Sequence, residues 1–438
     1  MKAAMTRSWL PFTLSMLALS PAVSAAPARG AAGGVALVGA EVWPATGPKL
    51  ERGTVLIQGE KIVQVGSDVA IPEGTRVIDV TGKIITPGFV AADTQIGLLE
   101  VEMEEDSNDA HPELDPPIRA AARAVDAFDV ASTLVAVARR HGVTSVVSAP
   151  TGGLVSGQGG WFQLLSAHDA GAAEAQLDPV SMVIRLGQAG ADAVGGSRVT
   201  AMLRLREYLD DVQTFRRDEG SYRRGSLYEM SAGRLDLEAG KALVTRDLKA
   251  VIEVHRASDI RAAIELVDSF RLSAVFVGVS EGWLVASELA RAKIPVIVDP
   301  MQSLPVSFEA RNARADNAAI LARAGVTVLL TARSSHNAGN LRYAVGNAIR
   351  DGFPKDLALR SVTVDAAAAF GVEDAVGGLA KGRYADLVVW TGDPFEAEAV
   401  AEQVFVRGRA QPTESRQTRL AERYIERLGL RGAKSEPQ

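Results

Sequence analysis

At 438 residues, with 47% hydrophobic and 23% charged positions, the chain has material for a large core and exceeds one ordinary domain. A formal charge of −6 and a pI near 5.6 argue against nucleic acid or an anionic membrane as the main partner. Having no cysteine, it has no disulfide, no thiolate metal site and no cysteine nucleophile.

The N-terminus reads as an export signal over residues 1–25. Lys2 and Arg7 give a positive start, positions 9–19 are a short apolar run, and Ala22-Val23-Ser24-Ala25-Ala26 offers small residues for cleavage. That run falls short of the ~20 apolar residues of a spanning helix. No later segment reads as membrane-spanning, so the expectation is a periplasmic or secreted protein with no membrane span after cleavage.

Positions 27–34 form a linker of mostly small residues. Short β-like runs follow at 35–38, 54–57, 61–65 and 76–79, punctuated by Gly47-Pro48, Gly59-Glu60 and Pro72-Glu73-Gly74. Matching runs at 385–390 and 404–406 suggest that both chain ends build one small composite β-sandwich, from 26–85 and 378–412.

Between them, over 86–377, β-branched runs alternate with helical patterns. An alanine-rich helix is expected over 118–140, then strands at 143–148, 181–186, 250–254, 274–277, 295–299 and 326–331. Ile260, Ile264, Val267 and Phe270 share one helical face, as do Leu341, Val345, Ala348 and Ile349. Such alternation predicts parallel βαβ units. A doubly wound open sheet is the alternative to a (β/α)8 TIM-like barrel, which chain length and the return of both ends to one module favour. A glycine-rich stretch at 152–160 lacks a phosphate-loop lysine and reads as a loop over a pocket mouth. Gly195-Gly196-Ser197 reads as a helix start, and 413–438 as a tail with one amphipathic helix.

The segment Lys83-Ile84-Ile85-Thr86-Pro87-Gly88-Phe89-Val90-Ala91-Ala92-Asp93-Thr94-Gln95 runs from an apolar strand through a Pro-Gly break into a second apolar run. Residues two apart on a strand share a face, so Asp93 and Gln95 point the same way. In shape this resembles the start of the catalytic barrel of the amidohydrolase superfamily. There, Pro-Gly-apolar-apolar-Asp precedes a His-x-His metal pair; here Asp93 and Gln95 stand where the histidines would be. The resemblance extends to Val254-His255-Arg256-Ala257, similar to the fifth-strand segment of imidazolonepropionase-related members. It continues in Gly278-Val279-Ser280-Glu281-Gly282-Trp283, and in the closing stretch Gly377-Gly378-Leu379-Ala380-Lys381-Gly382-Arg383-Tyr384-Ala385-Asp386-Leu387.

The resemblance implies hydrolysis of C–N bonds in cyclic amides or acylated amino compounds by water activated on a divalent metal such as Zn²⁺. A hydrolytic metal site needs about three or four converging His, Asp or Glu ligands and one open position. Only His255 matches a family ligand, with Asp93 as a second donor. Arg185 occupies the strand-four lysine position, the sixth-strand histidine position falls at Gly278–Ser280, and Ala332 or Arg333 replaces the strand-eight aspartate. The alternative is a catalytically silent binding or assembly subunit in which Arg333 pairs with Asp93 in the metal's place. A third reading is metal-free hydrolysis by a carboxylate, or by Ser334 or Ser335 beside His336.

Catalytic candidates are therefore His255, His336 and Asp93, with Gln95, Arg185, Glu281 and Arg333 as pocket candidates. Glu281 doubles as a helix N-terminal carboxylate, and the acidic run over 100–109 reads as a solvated loop. The expected partner is a small molecule, with a second copy or a paralogous amidohydrolase subunit as the macromolecular options.

Overall fold

The computed structural model describes residues 34–111, 116–169, 171–172 and 176–429. The export segment expected at 1–25 lies outside the described residues. Five strands come first: β1 (Val35–Val42), β2 (Leu50–Gln58), β3 (Lys61–Gly66), β4 (Arg76–Asp79) and β5 (Ile84–Pro87). Eight more follow: β6 (Phe89–Thr94), β7 (Val143–Ser148), β8 (Val155–Gln163), β9 (Gln176–Arg185), β10 (Lys249–Val254), β11 (Ala274–Gly278), β12 (Val296–Val298) and β13 (Val328–Leu330). The last three are β14 (Leu387–Trp390), β15 (Ala401–Val406) and β16 (Arg409–Gln411).

Strands from both ends join one sheet in the order β16-β15-β14-β5-β1-β2-β3, with β4 alongside β1. This is a single continuous sheet where the sequence suggested a sandwich of two. Its seam is the antiparallel pairing of β14 with β5, Leu387 opposite Pro87 and Trp390 opposite Ile84. Leu37, Val55, Ile57, Ile85, Val389 and Phe405 form its own apolar core. Only Gly88 separates β5 from β6, so the Pro-Gly break carries the chain directly from the end sheet into the central one.

The central sheet runs β6 to β13 in chain order. Side chains from its first and last strands, Val90 and Leu329, meet Val147, Trp161, Val251, Val275 and Ile297 in one buried cluster. That places both edge strands around a common interior, a nearly closed barrel and not a doubly wound open sheet. Phe370, on the helix Val364–Phe370, packs edge-on to Trp161 in the same cluster, and Val362 accepts a 2.8 Å bond from the Val90 N–H. From β10 onward the units are regular βαβ: the helix Ala257–Phe270 buries Ile260, Ala263, Leu266 and Val267 and joins β10 to parallel β11.

Two expectations need correcting. The glycine-rich stretch expected to be a mobile loop is largely β8, buried along its whole length and antiparallel to both β7 and β9. The barrel therefore has seven strands of one direction and one of the other. The long helix expected over 118–140 is helical only at Thr133–Arg140, where the Ser132 side chain caps the start by accepting from the Leu134 N–H, and in a 3-10 turn at Ala124–Asp126. Residues before it spend their backbone groups on β8: Gln158 N–H donates to the Ala122 carbonyl at 2.7 Å, and Arg119 N–H to Val155 at 2.9 Å.

Candidate active site

Parallel barrel strands present their C-terminal ends at one mouth. On β10, Val251 faces the interior; Glu253, two residues on, shares that face at the mouth. On β9, Val183 and Arg185 repeat the pattern, and Arg185 sits directly opposite Glu253 in the β9–β10 register. Asp93 arrives differently. Ala92 already faces the interior, and a register irregularity between Ala91 and Thr94 turns the strand so that Asp93 and Gln95 both line the cavity.

These side chains surround a cavity of about 190 Å³, lined by Asp93, Gln95, Thr151, Arg185, Glu253, Arg333 and Ser334 over an apolar floor of Val183, Val251 and Val277. Glu253 is its electrostatic centre. The Arg333 Nη2 bonds its Oε1, Arg185 Nε donates to Oε2 at 3.1 Å, and His255 Nε2 lies 3.6 Å from Oε1. Arg333 Nε is also 3.6 Å from Asp93 Oδ2, and its backbone N–H donates to Asp299 Oδ2 at 3.3 Å. The guanidinium of Arg333 thus lies between two carboxylates at the barrel mouth.

The pKa directions follow from these contacts. Burial pushes Glu253 up, but the neighbouring His255 imidazole and the charges of Arg333 and Arg185 outweigh it and hold the carboxyl well below the usual range. Burial raises Asp93, and Arg333 offsets only part of that. Burial likewise raises Asp299, against backbone N–H bonds from Met301 and Arg333. Burial alone would lower Arg333; the carboxylates of Glu253 and Asp93 raise it instead.

Of the seven predicted site residues, Asp93, Gln95, Arg185 and Arg333 line the cavity, and His255 borders it through Glu253. Two are elsewhere. Glu281 is buried and turns away: it accepts from the Ala257 N–H at 2.8 Å and from Asn312 Nδ2 at 2.7 Å, so it caps the helix after His255. His336 lies on the rim, 40% of its side chain accessible, with Nε2 3.0 Å from the Glu100 carbonyl and Nδ1 3.5 Å from Glu102. Part of the acidic run thereby packs against the rim: Glu102 also accepts from Ser334 Oγ at 3.0 Å, and Glu100 Oε2 from Thr133 Oγ1 at 2.7 Å.

Sequence reasoning missed Glu253 and Asp299. Each had a signal, a lone carboxylate in or just after an otherwise apolar strand: Ala250-Val251-Ile252-Glu253-Val254 and Val296-Ile297-Val298-Asp299.

A divalent ion of the hydrolytic kind does not fit this donor set. Among the described residues, no group of three or more His, Cys, Asp or Glu side chains is placed to hold one. The donors present, Asp93 and Glu253, already neutralise Arg333 and Arg185, and two guanidinium groups repel a dication from the same space.

Comparison with known proteins gives concordant matches. Residues 239–411 match the amidohydrolase family model. Amidohydrolase tasK of Hapsidospora irregularis is 25% identical over 396 residues, 82% of this chain; the match spans 40% of that relative's length. The crystal structure of an amidohydrolase from Thermotoga maritima MSB8 superposes with a TM-score of 0.77 at 27% identity, over 86% of this chain and 99% of that one. A Xaa-Pro dipeptidase with methionine bound in its active site shares the fold at 13% identity and a TM-score of 0.55, over 86% and 99%.

Proposed function

Since the chain belongs to the amidohydrolase superfamily, we propose that it hydrolyses C–N bonds of polar small molecules, cyclic amides or acylated amino compounds, without a resident metal. The observation that carries this is Arg333, held between Asp93 and Glu253 in the space that the resemblance assigns to an ion. A guanidinium there supplies a fixed positive charge facing the cavity, the kind of group that stabilises a developing oxyanion. It cannot lower the pKa of water as a bound metal does, so proton transfer falls to side chains. Burial raises the Asp93 carboxyl against the pull of Arg333, and His255 stands beside Glu253 at the cavity's edge. Expressed without its export segment, the protein should carry substoichiometric metal and turn over members of an N-acyl amino acid and cyclic amide panel in the presence of EDTA. One tightly held equivalent of Zn²⁺ per chain, with activity lost on chelation, would overturn this.

One observation favours the second reading, a silent small-molecule binding or assembly subunit: Arg185 and Arg333 both spend charge on Glu253. It predicts saturable ligand binding with no turnover anywhere in the panel, and association with a second copy or a paralogous amidohydrolase subunit. Periplasmic export remains our reading of residues 1–25, and no helix among the described residues is long and apolar enough to cross a membrane. Fractionation of a tagged full-length chain tests it.

A further inference from the structure

We infer that Ser280 is the nucleophile of this site and His255 its general base, an assignment that rests on the hydrolytic reading above. The stretch Gly278-Val279-Ser280-Glu281-Gly282 spells G-x-S-x-G. In hydrolases that use this pattern, the serine stands on a sharp strand-to-helix turn that thrusts its hydroxyl outward. The chain here makes such a turn: β11 ends at Gly278, a 3-10 turn runs Gly282–Leu284, and the helix Ala286–Ala292 follows. Gly278 has φ +90° and Val279 φ +38°, a left-handed conformation that a β-branched side chain avoids.

Neighbours hold the strained residue on both sides. The Val279 N–H donates to Val254 at 2.8 Å, and its carbonyl accepts from the buried Asn317 Nδ2 at 3.0 Å. Asn317 Oδ1 accepts from the Trp283 N–H at 2.9 Å, and the Glu281 N–H donates to the His255 carbonyl at 2.9 Å. Strain fixed this firmly in a turn is a mark of functional sites.

The turn is also shaped to the imidazole. A Cβ at Gly278 would lie 2.4 Å from His255 Cε1, so only glycine lets the ring lie against the end of β11. Placed there, His255 Nδ1 is 2.9 Å from Ser280 Oγ, and Nε2 is 3.6 Å from Glu253 Oε1. A carboxylate facing Nε2 favours the tautomer with its proton on that nitrogen, leaving Nδ1 free to accept from the serine. Ser280 opens on a hollow of about 10 Å³, room for about one water, which it shares with Arg333; Arg333 and Val277 also line the larger cavity.

The steps balance as an ordinary acyl transfer. Ser280 Oγ attacks the carbonyl carbon while its proton passes to His255 Nδ1. His255 returns that proton to the leaving nitrogen as the C–N bond breaks, giving an acyl-serine and an amine. Water then attacks the ester, its proton again passing through His255, and the carboxylic acid leaves with Ser280 restored.

A fluorophosphonate probe on the mature full-length protein, read by intact mass and peptide mapping, tests this. The expected result is one adduct per chain, on Ser280, absent in Ser280→Ala. Turnover should fall about a thousandfold in Ser280→Ala and about a hundredfold in His255→Gln. An unlabelled Ser280, under conditions that label a control serine hydrolase, overturns the assignment, and this readout needs no variant to fold. EDTA-resistant turnover that survives in Ser280→Ala also overturns the nucleophile while leaving metal-free hydrolysis intact. A labelled Ser280 in a protein that cleaves no C–N substrate supports the nucleophile and removes the C–N reading instead.

Discussion

Arg333 and Glu253 hold one another in a place where neither would be tolerated alone. Their side chains keep 28% and 19% of their surface, so the pair is sheltered but not sealed. Arg333→Met leaves Asp93 and Glu253 sharing a pocket without that cation, and should cost about 2–4 kcal/mol at neutral pH. Urea denaturation measures it, and Arg333→Met with Glu253→Gln should recover much of the loss. The sign with pH is set by Glu253: a carboxyl held low contributes stability above the ordinary carboxylate range and loses it as pH falls through its folded pKa. The penalty in Arg333→Met should therefore shrink on acidification, as the released carboxyl takes up its proton. A cost unchanged from pH 7 to pH 4 would show that the pair is not the source.

The pairing of Arg333 with Asp93 was readable in advance, because an arginine in the place of a metal-binding aspartate needs an anion nearby. Glu253 was not, because a single carboxylate in an apolar strand carries no spacing signal that pairs it with a distant arginine. Ser280 falls where the resemblance puts a histidine, and the hydroxyl it carries belongs to a different chemistry. Glu281 and His336 were expected at the mouth because both follow barrel strands, but a side chain just past a strand can as well turn back to cap a helix or out to the rim, as these two do.

Among the elements, β8 separates what sequence pattern conveys from what packing decides. Glycine is depleted in strands and marks turns, so a stretch with Gly152, Gly153, Gly157, Gly159 and Gly160 reads as a loop. In the fold Gly157 and Gly159 are where other chain segments press against the strand. A Cβ on Gly157 would lie 2.6 Å from the Ala122 carbonyl, and one on Gly159 2.7 Å from Ser181 Oγ and 2.9 Å from the Ala149 Cβ. Gly159→Ala should cost about 1–3 kcal/mol, the range of overpacking in a filled interior, and should lower the melting temperature. A neutral substitution would mean that β8 is looser than its burial implies. The over-long helix expected at 118–140 has the same origin: its alanine pattern suits a helix, but bridges from Ile118 and Arg123 to β8 claim the backbone first. The regular βα units from β10 onward were legible because their apolar periodicity and burial agree.

At the scale of the molecule, barrel and end sheet are joined through buried polar contacts as well as apolar ones. Phe89 stacks on Trp390 at 5.3 Å, and the Trp390 Nε1 donates to Thr86 Oγ1 at 2.9 Å. Asp386, in the stretch where the chain re-enters the end sheet, accepts from Gln163 at the end of β8 and from the Arg407 N–H at 2.7 Å. Burial pushes its carboxyl from 3.8 up to about 6, against the pull of those two donors. A raised carboxyl favours folding when protonated, so its contribution is full below about pH 3.8 and is lost as pH rises through about 6. Relative to wild type, Asp386→Asn should gain roughly 2–3 kcal/mol as pH rises from 4 to 6.5. Parallel denaturation curves for the two proteins across that range would show that the carboxyl titrates elsewhere.

The seam between β5 and β14 also sets a timetable. Thr86 and Trp390 bond across 304 positions of sequence, which at a ribosome's pace takes roughly 15–60 s to translate. Throughout that interval the leading strands wait for a partner not yet made, with the β5 edge unpaired. A chain built this way completes its end sheet late, only when its final strands arrive.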